Sequence, residues 1–347
     1  MMAKITDLGS FASSKKNIKQ FLVENAAFVT LVLLIIVATL LQGTTFFNIN
    51  NFVNILLNNA IVGIIALGMT LIIISGGIDL SVGAASALTG LITLTAINYS
   101  GSILFGVMVA FAVGILMGLF NGVLIAKFRI PAFIVTLGAM QIFRSLALHQ
   151  WQGGGVILGR SGGIVLEGID VLGFRSFSNT RFFTDAFQAG LPAPVLYWIG
   201  LVILLSLFCK KTALGRHIYA VGSNERAAYL SAVKVERVKV FVYMISGALV
   251  AVAALVEASR LGSMNSATSG NLYELQAIAA VIIGGTAMSG GRGRMVGTFF
   301  GTLTLGVINN TMNLMGLPSF LVGAIQGSIV ILAVLMQRGV EKKDKQY

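Results

Sequence analysis

Apolar runs separated by short polar stretches repeat along almost the whole chain and predict a bundle of membrane-spanning helices. A helix that crosses a bilayer needs about 20 apolar residues, with a usual lower limit of about 17. Several runs reach that length, whereas those at 82–97, 195–209 and 275–288 are shorter and are expected to be broken, tilted or partly buried. The pattern predicts an all-α, polytopic membrane protein with about ten transmembrane helices. The apolar runs are 26–41, 52–74, 82–97, 103–126, 130–148, 195–209, 238–256, 275–288, 295–315 and 319–336.

The composition indicates the same class of protein. Of the 347 residues, 56% are hydrophobic and 10% are charged, whereas a soluble domain carries about 25% charged residues to keep its surface wet. A single cysteine, Cys209, excludes a disulfide framework. No cluster of Cys, His and carboxylates has metal-ligand spacing, and the sequence contains neither a nucleophile elbow nor a phosphate-binding G-x-x-x-x-G-K-[ST] segment. We therefore expect no metal, no cofactor and no enzymatic activity in this chain.

The basic charge follows the expected membrane topology. The chain has 24 Lys and Arg against 12 Asp and Glu, a formal net charge of +12. When the polar stretches are assigned alternately to the two sides of a membrane, 19 of these 24 cations fall on the side that holds both termini. This positive-inside bias predicts that both termini are cytoplasmic. No basic face with interleaved aromatics lies outside the membrane, so a nucleic acid partner is not expected.

The polar stretches also divide the chain into parts. Residues 1–25 are polar and basic and are expected to form a cytoplasmic segment, with no removable signal peptide before the first span. Residues 26–337 are predicted to form the transmembrane domain, and 338–347 a cytoplasmic tail. Within the domain, 149–192 is predicted to be a mainly extracytoplasmic, folded loop, and 210–237 a cytoplasmic loop.

Glycines suggest close helix packing and an internal repeat. Two sets recur at four-residue spacing, which places them on one helix face and lets two helix backbones approach. These are Gly114, Gly118 and Gly122, and Gly297 and Gly301. Separately, 72–88 and 281–297 both place Gly-Gly and a polar patch between apolar runs. This similarity indicates either an internal repeat, as is common in transporters, or the general likeness of Gly-rich membrane sequences.

The charged loop contains a candidate docking helix. Gly222-Ser223-Asn224 reads as a turn, and Ser223 or Asn224 can cap a short amphipathic helix that carries Glu225 in its first turn. A charged helical insertion between two spans is what a docking surface requires. The alternative is a solvated loop helix with no partner.

Three segments of the chain resemble a known family of transport proteins. They are GMTLIIISGGIDLSVGA (68–84), GRHIYAVGSNERAAYLSAVKVERVKVFVYMISG (215–247) and YELQAIAAVIIGGTAMSGGRGRMVGT (273–298). In order and spacing they resemble the permease subunits of bacterial ABC importers for monosaccharides, above all the ribose-type permeases. Relatives of these carry xylose, galactose, allose or the furanose signal autoinducer-2. The resemblance extends from about residue 20 to residue 337 and is specific for the family rather than for the sugar.

The resemblance implies a mechanism and a set of partners. It implies the ABC importer permease fold in the bacterial cytoplasmic (inner) membrane, in contact with membrane lipid and working by alternating access. The partners are a tandem-domain subunit that binds ATP and Mg, a soluble sugar-binding protein, and a second copy of the chain or a related permease. The loop matching 215–237 would contain the coupling helix that contacts the ATP-binding subunit. The contact candidates carried over by position are Gly222, Asn224, Glu225, Ala227 and Ala228.

Polar residues in or near the spans are candidates for a path or a gate. Asp79 and Ser81 can cap the next helix or line a pathway, because an aspartate at a membrane boundary is costly unless it is solvated or paired. Amides at the spans can line a hydrated path for polyols or hydrogen-bond between helices; those predicted for the path are Asn58, Asn59, Asn309 and Asn313. Flanking the predicted outer loop 258–272, the candidates for contact with the binding protein are Glu257, Arg260 and Glu274.

The sequence departs from the family pattern at one place and leaves other functions open. Ribose-type permeases usually carry Gly followed by Tyr-Glu-Leu-Asp where this chain has Leu272 and, at the last position, Gln276. An ion-coupled secondary transporter is one alternative, although it would need ionisable groups near the bilayer midplane. A related ABC permease for nucleosides or branched-chain amino acids is another.

Overall fold

The structure is a helical bundle. The computed structural model describes residues 26–161, 163–184, 190–318 and 321–329, together with residues 331 and 335. The predicted cytoplasmic segment 1–25 and tail 338–347, and part of the last predicted span, lie outside the described residues.

The helices follow the apolar runs in order. They are α1 Ala26–Gln42, α2 Ile49–Ile74, α3 Val82–Ser100, α4 Ile103–Ala126, α5 Ala132–Trp151, α6 Val171–Asn179, α7 Ala193–Lys211, α8 Ala213–Ser223, α9 Glu225–Leu230, α10 Val235–Leu261, α11 Tyr273–Ile283, α12 Met295–Leu314 and α13 over 321–329. A short 3-10 helix, Gly43–Thr45, extends α1. The fold class predicted from the sequence, an all-α polytopic membrane protein, is confirmed.

Short strands occur only between helices in the described part of the chain. They are β1 Gly155–Ile157, β2 Arg160–Ser161, β3 Ile164–Val165, β4 Arg181–Phe182, β5 Leu191–Pro192 and β6 Ser263–Asn265. They form three antiparallel pairs, β1 with β6, β2 with β3 and β4 with β5. Together with α6 they fold the long connection between α5 and α7 into a cap on one end of the bundle.

Seven helices of the described residues are long and apolar enough to cross a membrane: α1 with its 3-10 extension, α2, α3, α4, α5, α7 and α10. Two runs that read as short, 82–97 and 195–209, belong to 19-residue helices that extend beyond the apolar residues. The third, 275–288, is broken as predicted, because α11 ends at Ile283 after 11 residues. At about 1.5 Å per residue, α11 covers roughly half of a bilayer core of about 30 Å.

The helix α2 occupies the centre of the bundle. All residues from Ala60 to Ile74 are buried, and α3, α10 and α11 surround it with further buried positions. The outer helices instead expose large apolar side chains, such as Leu40 at 80% and Leu104 at 69%. Exposed apolar surface of this kind is compatible with lipid or with another membrane subunit, not with water.

The glycine spacing on α4 produces a close helix crossing. A Cβ atom at Gly114 would overlap the carbonyl oxygen of Gly247 on α10, and one at Gly118 would overlap that of Tyr243. Likewise, a Cβ atom at Gly301 on α12 would overlap the carbonyl oxygen of Ala280 on α11. The predicted close packing of both glycine sets is confirmed.

The two ends of the bundle differ in charge. We call the end that holds the connection 127–131, α8, α9 and the segment 284–294 the basic face. The opposite end, with the strands and α6, is the distal face. In the described residues most Lys and Arg side chains belong to the basic face, so the charge bias found in the sequence corresponds to a real surface.

We expect Gly118→Ala to destabilise the protein, because the added methyl group must push α4 away from α10. A forced shift in a packed core costs about 1–3 kcal/mol. Gly138→Ala on α5 is the matched control, since no atom lies within 4 Å of the position of its added Cβ. Thermal unfolding of the two purified variants in detergent should show a lower Tm only for Gly118→Ala, and equal Tm values would contradict the packing role.

Candidate functional site

The loop between α7 and α10 folds into two helices on the basic face. Thr212 caps α8, accepting a hydrogen bond from Gly215 N at 2.9 Å. Asn224 caps α9 in the same way, accepting from Ala227 N at 3.0 Å. The sequence predicted a turn from Gly222, but α8 continues to Ser223. The reversal is therefore confined to Asn224, the residue between the two helices.

The five candidate contact residues of this loop have different positions. Asn224, Glu225 and Ala227 are exposed, whereas Ala228 is buried at 5% and Gly222 packs against other backbone. The carried-over set therefore mixes surface residues with residues that hold the loop in place. Ala228 is inside the protein, whereas Gly222 is partly exposed and also contacts the backbone of other segments.

Sequence reasoning missed two residues of this surface, Tyr229 and Leu230. They are 73% and 84% exposed at the end of α9. Their presence on an otherwise charged loop could have identified them from the sequence. Adjacent apolar side chains that are exposed to water mark interaction sites.

A groove of about 1350 Å³ lies beside α9 on the basic face. Its walls are α9, the first turns of α10 and the connections 75–77 and 129–132. Lys239 on α10 donates to Glu225 across it at 2.7 Å. The other charged residues that line it are Arg129, Arg226, Lys234, Glu236 and Arg237. The groove therefore carries an excess of positive charge.

Three backbone segments meet at Gly222. Gly291 N donates a hydrogen bond to the carbonyl oxygen of Ile74 at 2.9 Å. A Cβ atom at Gly222 would overlap that same carbonyl oxygen, and it would lie 2.7 Å from Gly291 N. The end of α8 thus rests directly on the end of α2 and on the segment 284–294.

The two segments that α8 touches are similar turns. After α2, Gly76 N and Gly77 N donate to the carbonyls of Ile73 and Ile72. After α11, Gly285 N and Thr286 N donate to the carbonyls of Ile282 and Val281 with the same spacing. Gly76 and Gly285 have φ of 84° and 83°, a backbone conformation that favours glycine. The same turn also ends α9 and α12, so this shared geometry does not decide between an internal repeat and a general likeness of helix ends.

A tyrosine hydroxyl fixes each of these segments. Tyr243 donates to the carbonyl of Ile78 at 2.9 Å, and Tyr219 on α8 donates to the carbonyl of Gly293 at 2.9 Å. Burial raises the pKa of Tyr219 to about 12, with smaller contributions from Cys209. The Tyr219 hydroxyl therefore keeps its proton, and its role as a donor, throughout the physiological pH range.

Asp79 and Ser81 form a buried cap before α3. The Asp79 carboxylate accepts from Ser81 N at 2.8 Å and from the Ser81 hydroxyl at 2.6 Å. Asn121 on α4 donates to Ser81 Oγ at 2.8 Å. Asp79 and Ser81 are 4% and 1% exposed. Asp79 satisfies the N–H group of Ser81, whereas the Ser81 side chain makes no cap bond to α3.

The predicted path amides lie on two helices and have different hydrogen-bond partners. Asn59 donates to the Ile55 carbonyl of its own helix, and Asn309 accepts from Gln326 on α13. Asn58 is exposed and accepts from Arg260 at 2.6 Å. Asn313, also exposed, lies near the end of α12. The structure does not bring the four amides together into one site.

Irregular backbone enters the bundle from the distal face. After β6 the chain runs beside α3, with Met264 next to Gly90 and Gly270 next to Gly83. Arg144 on α5 donates to the carbonyls of Ser266 and Ser269 at 2.9 and 3.0 Å. Backbone without helical hydrogen bonds is tolerated at membrane depth only where protein or water satisfies it. Here the guanidinium of Arg144 satisfies two of the backbone carbonyls.

The three predicted contact residues for a binding protein lie around this segment. Glu257 on α10 is 4% exposed and its side chain is hydrogen-bonded to Tyr273. It is therefore inside the bundle, and the prediction that it forms part of the outer surface is wrong for this conformation. Arg260 and Glu274 are half-buried.

The described residues contain no group of three or more His, Cys, Asp or Glu side chains placed to hold a metal ion. Together, the multi-pass bundle and its interrupted helices define a membrane protein of the transporter type.

Comparison with known proteins identifies the family. A family described as "Branched-chain amino acid transport system / permease component" matches residues 51–335, so the chain belongs to this family. It is 39% identical to the ribose import permease protein of Escherichia coli (strain K12), over 92% of this chain and 94% of that protein. It is 38% identical to the ribose import permease protein of Bacillus subtilis (strain 168), over 90% and 91%.

A third relative has a different printed substrate. The chain is 33% identical to the xylose transport system permease protein of Escherichia coli (strain K12), over 96% of each chain. No solved structure matches the chain.

We expect Gly222→Ala to disturb the basic face, because the added methyl group overlaps the Ile74 carbonyl and must separate α8 from α2. The matched control is Gly200→Ala on α7, where no atom lies within 4 Å of the added Cβ. Limited proteolysis of the purified variants should cleave the loop 210–234 faster in Gly222→Ala than in the control. Equal cleavage rates would contradict the contact.

Proposed function

We propose that the chain is the permease subunit of an ABC importer for a monosaccharide such as a pentose. The observation that carries this proposal is full-length similarity, at 33–39% identity, to relatives named as ribose and xylose permeases. The chain itself is a transport subunit and not an enzyme. Neutral polar groups at the helix ends and a mainly apolar exterior suit the passage of an uncharged polyol between membrane subunits.

The basic face is the proposed docking site for the ATP-binding subunit. Its surface consists of exposed α9 residues, with Tyr229 and Leu230 as an apolar contact and the positive groove beside them. The partner surface is expected to be apolar at its centre and acidic at its rim. ATP and Mg are bound by that tandem-domain partner, because this sequence has no phosphate-binding loop.

The contact at Gly222 supports a route for coupling. A movement of α9 by the ATP-binding subunit displaces α8, which rests on the end of α2 and on the segment 284–294 that follows α11. These two helices lead toward the distal face, where Asn58 and Tyr273 are placed. Alternating access would then follow from opposed shifts of these helices in two permease copies, either identical or related.

Orientation and the remaining partners complete the proposal. By the positive-inside rule the basic face is cytoplasmic, which puts both termini in the cytoplasm of a bacterial cell with the chain in its inner membrane. The distal face then meets the soluble sugar-binding protein. Arg260 and Glu274 remain candidates for that contact, because both keep partial exposure.

The energy source distinguishes this function from an ion-coupled secondary transporter. The tagged chain, purified in mild detergent from its native membranes, should co-purify with a stoichiometric two-domain ATPase identified by mass spectrometry. Uptake of labelled D-ribose or D-xylose should stop on ATP depletion. Recovery of the chain alone, with uptake that survives ATP depletion and stops with an uncoupler, would overturn the proposal.

We expect Glu225→Lys to abolish ATP-driven uptake while membrane insertion is unchanged. Glu225 is 58% exposed on α9, so the substitution inverts the charge of the proposed contact surface. Uptake is measured in whole cells, with membrane abundance of the variant measured in parallel. Normal uptake would contradict the docking assignment.

The ion pair with Lys239 supplies a control for that experiment. The double variant Glu225→Lys with Lys239→Glu restores an opposite-charge pair across the groove, but it still presents a lysine to the partner. We expect uptake to stay lost in the double variant. An exposed ion pair contributes little beyond about 1 kcal/mol, so restoring the pair is not expected to rescue uptake. Recovered uptake would show that Glu225 acts only within this chain.

A further inference from the structure

A cluster of hydrogen-bonding side chains lies at the distal end of α2, α10 and α11. Arg260 donates to Asn58 Oδ1 at 2.6 Å. Tyr273 and Glu257 are hydrogen-bonded through their side chains. Asn58 is exposed and Arg260 and Tyr273 are half-buried, so the cluster reaches the surface of the bundle between otherwise apolar helices.

One atom of this cluster has no partner. Glu257 is 4% exposed, and its Oε2 atom is buried without a hydrogen bond in the described structure. A buried carboxylate oxygen left unpaired loses the hydrogen bonds that water would give it and destabilises the fold. Buried acceptors are nearly always satisfied in folded proteins, and among the described residues this is the only buried carboxylate oxygen without a hydrogen-bond partner.

The charges of the cluster balance. The acidic residues Glu257 and Glu274 are matched by the basic residues Arg144 and Arg260, which act on them electrostatically. A site of this kind gives no advantage to a charged ligand. It offers instead a carboxylate acceptor close in sequence and space to a guanidinium donor, since Glu257 and Arg260 are three residues apart on one helix face.

We infer that Glu257 and Arg260 bind two adjacent hydroxyl groups of the transported sugar. One hydroxyl donates to Glu257 Oε2, and its neighbour accepts from the Arg260 guanidinium, which has five N–H donors and uses one on Asn58. This inference rests on the proposed function and adds to it a site for a vicinal diol in the permease itself. Tyr273 holds the Glu257 carboxylate and is a positioning residue.

Discrimination between two sugars tests the site. The complete transporter, reconstituted in proteoliposomes with its ATPase and binding protein, imports D-ribose and 2-deoxy-D-ribose from one mixture of fixed composition in which the two sugars compete for the binding protein. The second sugar lacks one hydroxyl of the diol. Because every variant uses the same binding protein and the ratio of the two rates does not depend on the amount of folded permease, a change in this ratio originates in the permease.

Glu257→Gln should lower the ratio of D-ribose to 2-deoxy-D-ribose import by about 10-fold, since a hydrogen bond to a charged group contributes roughly 1.5–3 kcal/mol. Arg260→Lys, which keeps the positive charge, should also lower this ratio. It serves as the second test if Glu257→Gln does not fold. Glu167→Gln, the same change at an exposed residue of the cap, is the matched control and should keep the wild-type ratio.

Other outcomes overturn the inference. If both import rates fall by one common factor in Glu257→Gln and Arg260→Lys, the cluster is structural. The same conclusion follows if both variants keep the wild-type ratio. If the assembled wild-type complex imports neither these two sugars nor D-xylose, the proposed function fails, and the ligand class of the cluster fails with it.

Discussion

The meeting of three backbone segments at Gly222 is the contact on which the arrangement of the basic face depends. No side chain fits there, because the Ile74 carbonyl already accepts from Gly291 N at 2.9 Å and the end of α8 packs directly against that bond. Backbone contacts are stiff, whereas side-chain contacts can adjust through rotamers. A displacement of the surface helices therefore passes to α2 and to the segment after α11 with little loss.

The distal half of the bundle obeys a different constraint. Between β6 and α11 the chain is irregular and forms only isolated turns, and backbone groups left unpaired at membrane depth must be satisfied by protein or by water in a cavity. Arg144 satisfies two of the exposed carbonyls at 2.9 and 3.0 Å. The guanidinium is itself acceptable there because Glu257 and Glu274 balance its charge. The irregular backbone at this end therefore depends on Arg144, and Arg144 depends on the two glutamates.

Sequence patterns predicted the features that depend on periodicity and spacing. The long spans, the close glycine crossings and the cap of α9 at Asn224 follow from hydropathy and from local side-chain chemistry. The burial of Glu257 was missed, because a carboxylate beside an outer loop reads as surface unless the re-entry of 262–272 is known. Exposure of Tyr229 and Leu230 was missed because apolar residues on a short helix usually face inward.

The shortness of α11 has a consequence for how the protein is made. A segment of 11 helical residues preceded by irregular backbone does not meet the length that a span needs to partition into a bilayer by itself. Two carbonyls of the irregular backbone before it, those of Ser266 and Ser269, accept from Arg144, which is synthesised more than a hundred residues earlier on α5. During biosynthesis, α11 therefore enters the membrane only against a partly assembled bundle, so assembly of the helices precedes completion of their insertion.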